Sequence, residues 1–129
     1  MYLPISLAAA AAAALTNLWL SVRIGMVRTA KKISVGDGGD EELIRRMRAQ
    51  ANFIENTPIV LILIAVIELS RPLNPWLAGV AGLYTVARIA HGVGMDGGVF
   101  KFGRMIGTMV TMVTQLSLAV WAATIALDM

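Results

Sequence analysis

Residues 48–69 read RAQANFIENTPIVLILIAVIEL, a polar segment that passes without a break into an apolar run from Ile59 to Ile67. About 20 predominantly apolar residues suffice for a helix to cross the ~30 Å hydrocarbon core of a bilayer. A carboxylate inside such a helix, as Glu55 is here, costs ~2.5–3.5 kcal/mol at the bilayer centre. The stretch therefore predicts a transmembrane helix that carries a polar cluster in its first half.

Three further apolar stretches accompany this one, and together they predict an all-α, integral membrane four-helix bundle in a single domain. Only 15% of the 129 residues are charged, whereas a soluble domain usually has about 25%. The mean hydropathy is +0.72, which argues against a soluble bundle. The predicted helices cover about residues 3–22, 41–69, 76–93 and 104–127.

The second helix is expected to begin before the membrane. Asp40 suits the N-cap position, and the acidic Glu41 and Glu42 suit the positive end of the helix dipole. A helix over residues 41–69 would be roughly 43 Å long at 1.5 Å per residue. Since this exceeds the hydrocarbon thickness, its first turns should project into the cytoplasm.

The basic residues predict the orientation of the chain. Ten of the eleven lie in or beside the first and third connections, and only Arg71 lies in the second. Positive residues favour the cytoplasmic side of a membrane. We therefore expect those two connections in the cytoplasm, and both termini outside it.

Several function classes are disfavoured by composition. The chain has no cysteine, so a protein thiol nucleophile and thiolate metal sites are excluded. Its one histidine, His91, cannot build a metal site alone, and no aromatic-rich basic patch suggests nucleic acid. Any thiol chemistry must therefore use sulfur from a substrate.

Arg48, Asn52 and Glu55 are spaced i, i+4 and i+7, which places them within about 60° of each other on a helix. We expect Glu55 to face the bundle interior and to pair with Arg48, directly or through Asn52. Intramembrane ionisable residues are often functional, but polar residues also join helices. At this point a functional site and a structural cluster both remain open.

A second basic set lies at the same end of the bundle. Arg88 is late in the third helix and Arg104 opens the fourth, so that with Arg28 and Arg48 they form a cationic rim. We assign Arg48, Arg88 and Arg104 to a site because they border apolar spans. Anchoring to lipid head groups is the interpretation for the remaining cations considered, Lys31, Lys32, Arg46 and Lys101.

The fourth helix has two stripes that predict packing. Met105, Met109 and Met112 recur at i, i+4 and i+7, a pattern more typical of core or helix-interface packing than of a ligand pocket. Gly103 and Gly107, extended by Thr111, form a small-xxx-small pattern that favours close helix contact.

The segment from Arg48 to Pro58 resembles the signature of the MAPEG family, the membrane-associated proteins in eicosanoid and glutathione metabolism. That signature reads approximately R-A-x-x-N-x-x-E-x-x-P, and each fixed position is present. The length, four spans, polar first loop and basic third loop are also similar, and the Gly-Asp-Gly-Gly loop resembles bacterial members.

The resemblance implies a homotrimer that binds glutathione as co-substrate between subunits, at the cytoplasmic end, while a lipophilic partner enters from the bilayer. It implies that Arg104 stabilises the glutathione thiolate. The implied glutathione-binding residues are Arg28, Arg48, Asn52, Glu55, Arg88 and His91. Arg23 competes with Arg28 for its role. Eicosanoid members often have tyrosine where Asn56 stands, and a tyrosine of their third helix falls near His91.

These features favour a glutathione transferase or peroxidase that acts on lipophilic electrophiles in a bacterial inner membrane. The alternative is a non-catalytic lipid-binding or scaffold membrane protein. A small drug exporter ranks lower, because such exporters place an essential glutamate in a first helix, and this first helix has no acid.

Overall fold

Four long helices make up the part of the chain that the computed structural model describes, residues 1–128. The helices are α1 (Pro4–Lys31), α2 (Glu41–Ser70), α3 (Pro75–Gly94) and α4 (Phe102–Leu127), with a 3-10 turn at Gly98–Phe100 before the last. No strand occurs among these residues. The chain is an all-α four-helix bundle, as predicted.

Side-chain caps explain where two of the helices begin. Asp40 accepts a hydrogen bond from the backbone N–H of Leu43 over 2.9 Å at the start of α2, which confirms the predicted cap. Asn74 accepts from the N–H of Trp76 over 2.9 Å at the start of α3. Pro75 then occupies the first helical position, where a missing N–H costs nothing.

Helix α1 is longer than its apolar stretch. It was expected to end near Val22 but continues to Lys31, and Lys32 ends it in the left-handed region with φ of 56°. A 28-residue helix is roughly 42 Å long, so its basic last turns extend beyond the ~30 Å hydrocarbon core. Charged residues therefore did not mark the end of this helix.

Three helical segments are long and apolar enough to cross a membrane. They are Pro4–Lys31, Glu41–Ser70 and Gly98–Leu127. Helix α3 has 20 residues, which is about 30 Å, but Arg88 and His91 make it less apolar. Both side chains are buried in the bundle, which is how polar residues are accommodated within a membrane.

The half of the bundle that contains the start of α1 has an apolar core and one carboxylate. Val60, Ile64, Leu77 and Leu118 are fully or almost fully buried there. Glu68, which is also fully buried, accepts hydrogen bonds from the N–H groups at the start of α1. A carboxylate is favoured at that position because the N-terminal end of a helix is positive and has unpaired N–H groups.

Helices α3 and α4 meet through their backbones near the connection that joins them. A Cβ on Gly107 would lie 2.4 Å from the Cβ of His91, and one on Gly103 would lie 2.5 Å from the carbonyl oxygen of Ala90. Thr111 is buried on the same face. The close contact predicted from these small residues is confirmed.

The methionine stripe lies on the other side of α4. Met105, Met109 and Met112 are 65%, 57% and 64% exposed. Of the two expected kinds of packing, packing in the core is therefore wrong for the single chain, and packing against a helix of another copy stays a prediction. The physical reason is that the glycine face of α4 takes the contact with α3. At 100° per residue, Met105 points about 160° away from Gly103 or Gly107.

Candidate functional site

A buried arginine joins α2, α3 and α4 through two hydrogen bonds. Arg88 of α3 is 1% exposed and donates from Nη2 to Oδ1 of Asn52 over 2.7 Å. Its Nη1 donates to Oγ1 of Thr111 in α4 over 2.9 Å. Arg88 forms no ion pair within residues 1–128. Its charge is therefore held by neutral groups, and Nε is left without a partner among them.

A second polar layer lies one turn further along α2. The Nε2 of Gln115 in α4 donates to Oδ1 of Asn56 over 2.8 Å. The hydroxyls of Thr57 and Tyr84 lie 2.9 Å apart in the buried interior. Gln115 and Thr57 could not be identified from the sequence, because their partners lie on other helices and no local spacing connects them.

Arg48 and Glu55 lie on the outer surface of α2, not in the bundle interior. Both side chains belong to exposed residues, and they form no ion pair with each other within residues 1–128. The expectation that Glu55 faces inward and pairs with Arg48 is therefore wrong for the single chain. The inward face is taken by Phe53, from which Arg48 and Glu55 point about 140° and 160° away at 100° per residue.

Arg104 is also exposed, in the first turn of α4. It precedes Gln115 by three helical turns, about 16 Å along α4. The two side chains point in nearly the same direction from the helix axis, within about 20°. Because Gln115 bonds to Asn56, this side of α4 borders α2. Arg48 precedes Asn56 by about 12 Å, so Arg48 and Arg104 lie toward the same end of the boundary between α2 and α4. We use the name α2–α4 groove for this boundary together with four side chains of the two helices that flank it, Arg48, Asn52, Glu55 and Arg104.

The arginines of α1 are engaged elsewhere in the chain. Arg28 donates to the carbonyl oxygens of Ile33, over 3.3 Å, and Gly36, over 2.8 Å, and so holds the first loop. Arg23 donates to the carbonyl oxygen of Gly92 over 3.0 Å. Helix α1 packs against α2 and α3, so within one chain neither arginine is brought to the α2–α4 groove.

His91 is buried between α3 and α4. Its Cβ faces Gly107, the residue is 3% exposed, and its Nδ1 has no hydrogen-bond partner within residues 1–128. The structure thus divides the predicted site residues into three sets. Arg48, Glu55 and Arg104 are exposed, Asn52, Arg88 and His91 are within the bundle or at its edge, and Arg28 is on α1.

Comparison with known proteins decides the family. A model of the MAPEG family matches residues 6–124, which is nearly the whole chain. The chain belongs to the MAPEG family. No curated protein matches it significantly. Membership in the MAPEG family agrees with the membrane four-helix bundle described above. It identifies the chain as a membrane protein of eicosanoid and glutathione metabolism, in a family whose members use glutathione.

Proposed function

We propose that this MAPEG protein is a membrane-bound glutathione transferase or peroxidase that acts on lipophilic substrates. The observation that carries the proposal is the set of charged side chains on the α2–α4 groove. Arg48, Glu55 and Arg104 are exposed on helices that border or cross the membrane, and none forms an ion pair within residues 1–128. Since such groups are costly next to lipid, a ligand or a neighbouring subunit should cover them.

The charges of the groove match those of glutathione. Glutathione has two carboxylates and one amine, so its site needs cations for the carboxylates and an acid for the amine. Arg48 and Arg88 would serve the carboxylates, and Glu55 the amine. Asn52 would orient Arg88 through the hydrogen bond already present.

Arg104 would stabilise the glutathione thiolate. It lies in the first turn of α4, which begins at Phe102, so the guanidinium and the positive end of the helix dipole act at the same place. Both favour a thiolate over a thiol. In the transferase reaction, the thiol proton first passes to water and the thiolate sulfur then bonds to an electrophilic carbon. The electron pair of the bond broken at that carbon departs with a leaving group or, in an addition, stays on the substrate, which takes a proton from water. In the peroxidase reaction, two glutathiones reduce a hydroperoxide to an alcohol and water, and become glutathione disulfide.

A neighbouring copy of the chain would complete the site. We propose the homotrimer that the family resemblance implies, in which Arg28 or Arg23 of one subunit approaches the α2–α4 groove of the next. The exposed Met105 stripe on α4 would then contact either the neighbour or the bilayer. We propose the bacterial inner membrane as the location, because the first loop resembles that of bacterial members. The basic connections favour an orientation with both termini outside the cytoplasm.

The test uses purified protein in detergent and asks two separate questions. Glutathione binding is measured by calorimetry, and ionisation of bound glutathione by the ultraviolet absorbance of the thiolate. Turnover is then measured with a panel of electrophiles and a lipid hydroperoxide. We expect binding, thiolate formation and turnover of at least one substrate. Binding without thiolate or turnover would favour the non-catalytic lipid-binding alternative, and absence of binding would contradict both the site and the reaction.

A further inference from the structure

The first turn of α4 touches the end of α3 through backbone atoms alone. A Cβ on Gly94 would lie 2.1 Å from the backbone nitrogen of Arg104 and 2.7 Å from the carbonyl carbon of Gly103. Because no side chain separates the helices here, the end of α3 determines where the backbone of Arg104 lies. Whatever holds residues 92–96 in place therefore also holds Arg104.

Asp96, two residues beyond Gly94, is held by arginines from two other helices. Arg23 of α1 donates from Nη2 to Oδ2 of Asp96. The Nε of Arg46 in α2 lies 3.5 Å from Oδ1, which is an ion pair without a hydrogen bond. Arg23 also donates to the carbonyl oxygen of Gly92 over 3.0 Å. Asp96, Arg23 and Arg46, which we call the Asp96 clamp, thus connect α1 and α2 to the end of α3.

The two arginines of the clamp are themselves fixed. The guanidinium of Arg23 lies 4.7 Å from the centroid of the Trp19 ring. Arg46 donates from Nη1 to the carbonyl oxygen of Arg23 over 2.9 Å, and its Nη2 lies 3.3 Å from Oε1 of Glu42. Their side chains are 11% and 19% exposed. The Asp96 side chain is 38% exposed, so solvent screens part of the attraction in these ion pairs.

We infer that Asp96 is a positioning residue for Arg104, which it directs toward the glutathione sulfur through the backbone contact between α3 and α4. The inference rests on the proposed function. Asp96 does not touch the substrate in this role. It acts by holding the C-terminal end of α3, against which the backbone of Arg104 packs.

Electrostatics and positioning predict opposite effects when Asp96 is removed. The charged groups around Asp96 are Arg23, Arg46, Arg45 and Glu42. Removing the carboxylate leaves Arg23 and Arg46 with less compensated positive charge, which by itself would favour a nearby thiolate. Displacing Arg104 would disfavour the thiolate. The pH at which half of the bound glutathione is ionised therefore distinguishes the two effects, because each predicts a shift in the opposite direction.

The experiment compares Asp96→Ala and Asp96→Glu with the wild-type protein and with Glu41→Gln. The last removes another carboxylate at the same end of the bundle, where the Glu41 side chain is 89% exposed. In Asp96→Ala we expect half-ionisation of bound glutathione to move upward by about one pH unit. We expect kcat to fall about tenfold or more, with the glutathione Kd within about threefold of wild type. Asp96→Glu should recover part of the rate, and Glu41→Gln should behave as wild type.

A spectroscopic readout makes the clamp testable without glutathione. The chain has no cysteine, so a single Val99→Cys substitution in the exposed 3-10 turn accepts one nitroxide label. Asp96→Ala should increase the mobility of this label, and Asp96→Glu should restore it in part. If Asp96→Ala does not fold, Asp96→Asn, which keeps the size of the side chain, takes its place in both measurements.

The outcomes distinguish this inference from the function on which it rests. If wild-type protein ionises glutathione and the ionisation shifts downward or stays unchanged in Asp96→Ala, the positioning role is overturned and the transferase proposal stands. If the label is no more mobile in Asp96→Ala than in the labelled protein that keeps Asp96, the clamp is likewise overturned. If the wild-type protein forms no thiolate, the proposed function fails, and the positioning role fails with it.

Discussion

Arg88 donates a hydrogen bond of 2.7 Å to the amide oxygen of Asn52, so a buried cation is held by a neutral side chain rather than by a carboxylate. Thr111, its other partner, is also neutral. A carboxylate at residue 52 would compensate the charge within the protein. An amide leaves Arg88 able to attract an anion from outside, which agrees with a role in binding a glutathione carboxylate.

Asn52→Asp should therefore separate stability from ligand binding. The new carboxylate would pair with Arg88 and repel the carboxylates of glutathione, so we expect the free energy of unfolding to be unchanged or higher. Glutathione should bind about tenfold or more weakly. Asn52→Ala is the matched control, because it removes a partner of a buried cation and should lower stability by ~1–3 kcal/mol. Wild-type affinity in Asn52→Asp would contradict the role given to Arg88.

Gly107→Ala should destabilise the contact between α3 and α4. The added methyl group would meet the Cβ of His91 at 2.4 Å, and relief requires the helices to move apart, at a cost of ~1–3 kcal/mol. Gly79→Ala in α3 is the control, since a Cβ there meets nothing within 4 Å. Replacing an unhindered helical glycine by alanine is worth up to ~1 kcal/mol of added stability. Unfolding in detergent by sodium dodecyl sulfate titration measures both, and equal effects would contradict the close crossing.

The Asp40 cap at the start of α2 should make the free energy of unfolding depend on pH in the acid range. The hydrogen bond from Lys31 and then that from the Leu43 N–H hold the pKa of Asp40 below its usual range. A depressed carboxyl pKa stabilises the fold above the unfolded pKa of about 3.9, and this contribution is lost as the pH falls through the folded value.

Asp40→Asn keeps the capping oxygen but has no charge to titrate. We expect the wild-type protein to have the higher Tm at neutral pH, and the difference between the two proteins to shrink as the pH is lowered below about 4. Thermal unfolding in a detergent that does not itself titrate checks this. A difference that is constant between neutral and acid pH would show that the carboxylate charge contributes nothing.

The four helices could be predicted from sequence because each depends on local features. Length and apolarity identify a membrane-crossing helix, and Asp40 marks the start of α2 because a cap acts within its own first turn. A close helix contact on one face of α4 could be predicted for the same reason, since the spacing of Gly103 and Gly107 places both on that face. The identity of its partner, α3, could not be predicted from this spacing.

What could not be predicted depends on contacts between distant residues. Glu68 caps a helix that begins more than 60 residues earlier in the chain, by accepting from the backbone N–H of Ile5 over 2.9 Å. The pairing of Arg23 with Asp96 likewise joins α1 to the loop after α3. The outward direction of Glu55 was missed because its spacing from Arg48 and Asn52 shows that they share a side of α2, but not which neighbour covers that side.

Arg104 gives the sharpest test of the reaction. Its guanidinium stays charged at any relevant pH, so it can stabilise a thiolate but is a poor proton acceptor, and water would take the proton. Two effects oppose it, because burial raises the pKa of a thiol and so does a nearby acid such as Glu55. If Arg104 outweighs both, Arg104→Ala should lower kcat far more than it weakens glutathione binding.

The same substitution should move the pH profile of the rate to higher pH, because the thiol would then ionise only at higher pH. Arg104→Lys should recover part of the rate, since a positive charge remains in the first turn of α4 although the planar fork is lost. Lys101→Ala is a matched control, since it removes an exposed cation one turn earlier, which we assign to lipid head groups. Steady-state kinetics across pH, combined with the thiolate absorbance of bound glutathione, distinguish these variants. An unchanged rate and pH profile in Arg104→Ala would remove the thiolate role from Arg104, whatever its effect on binding.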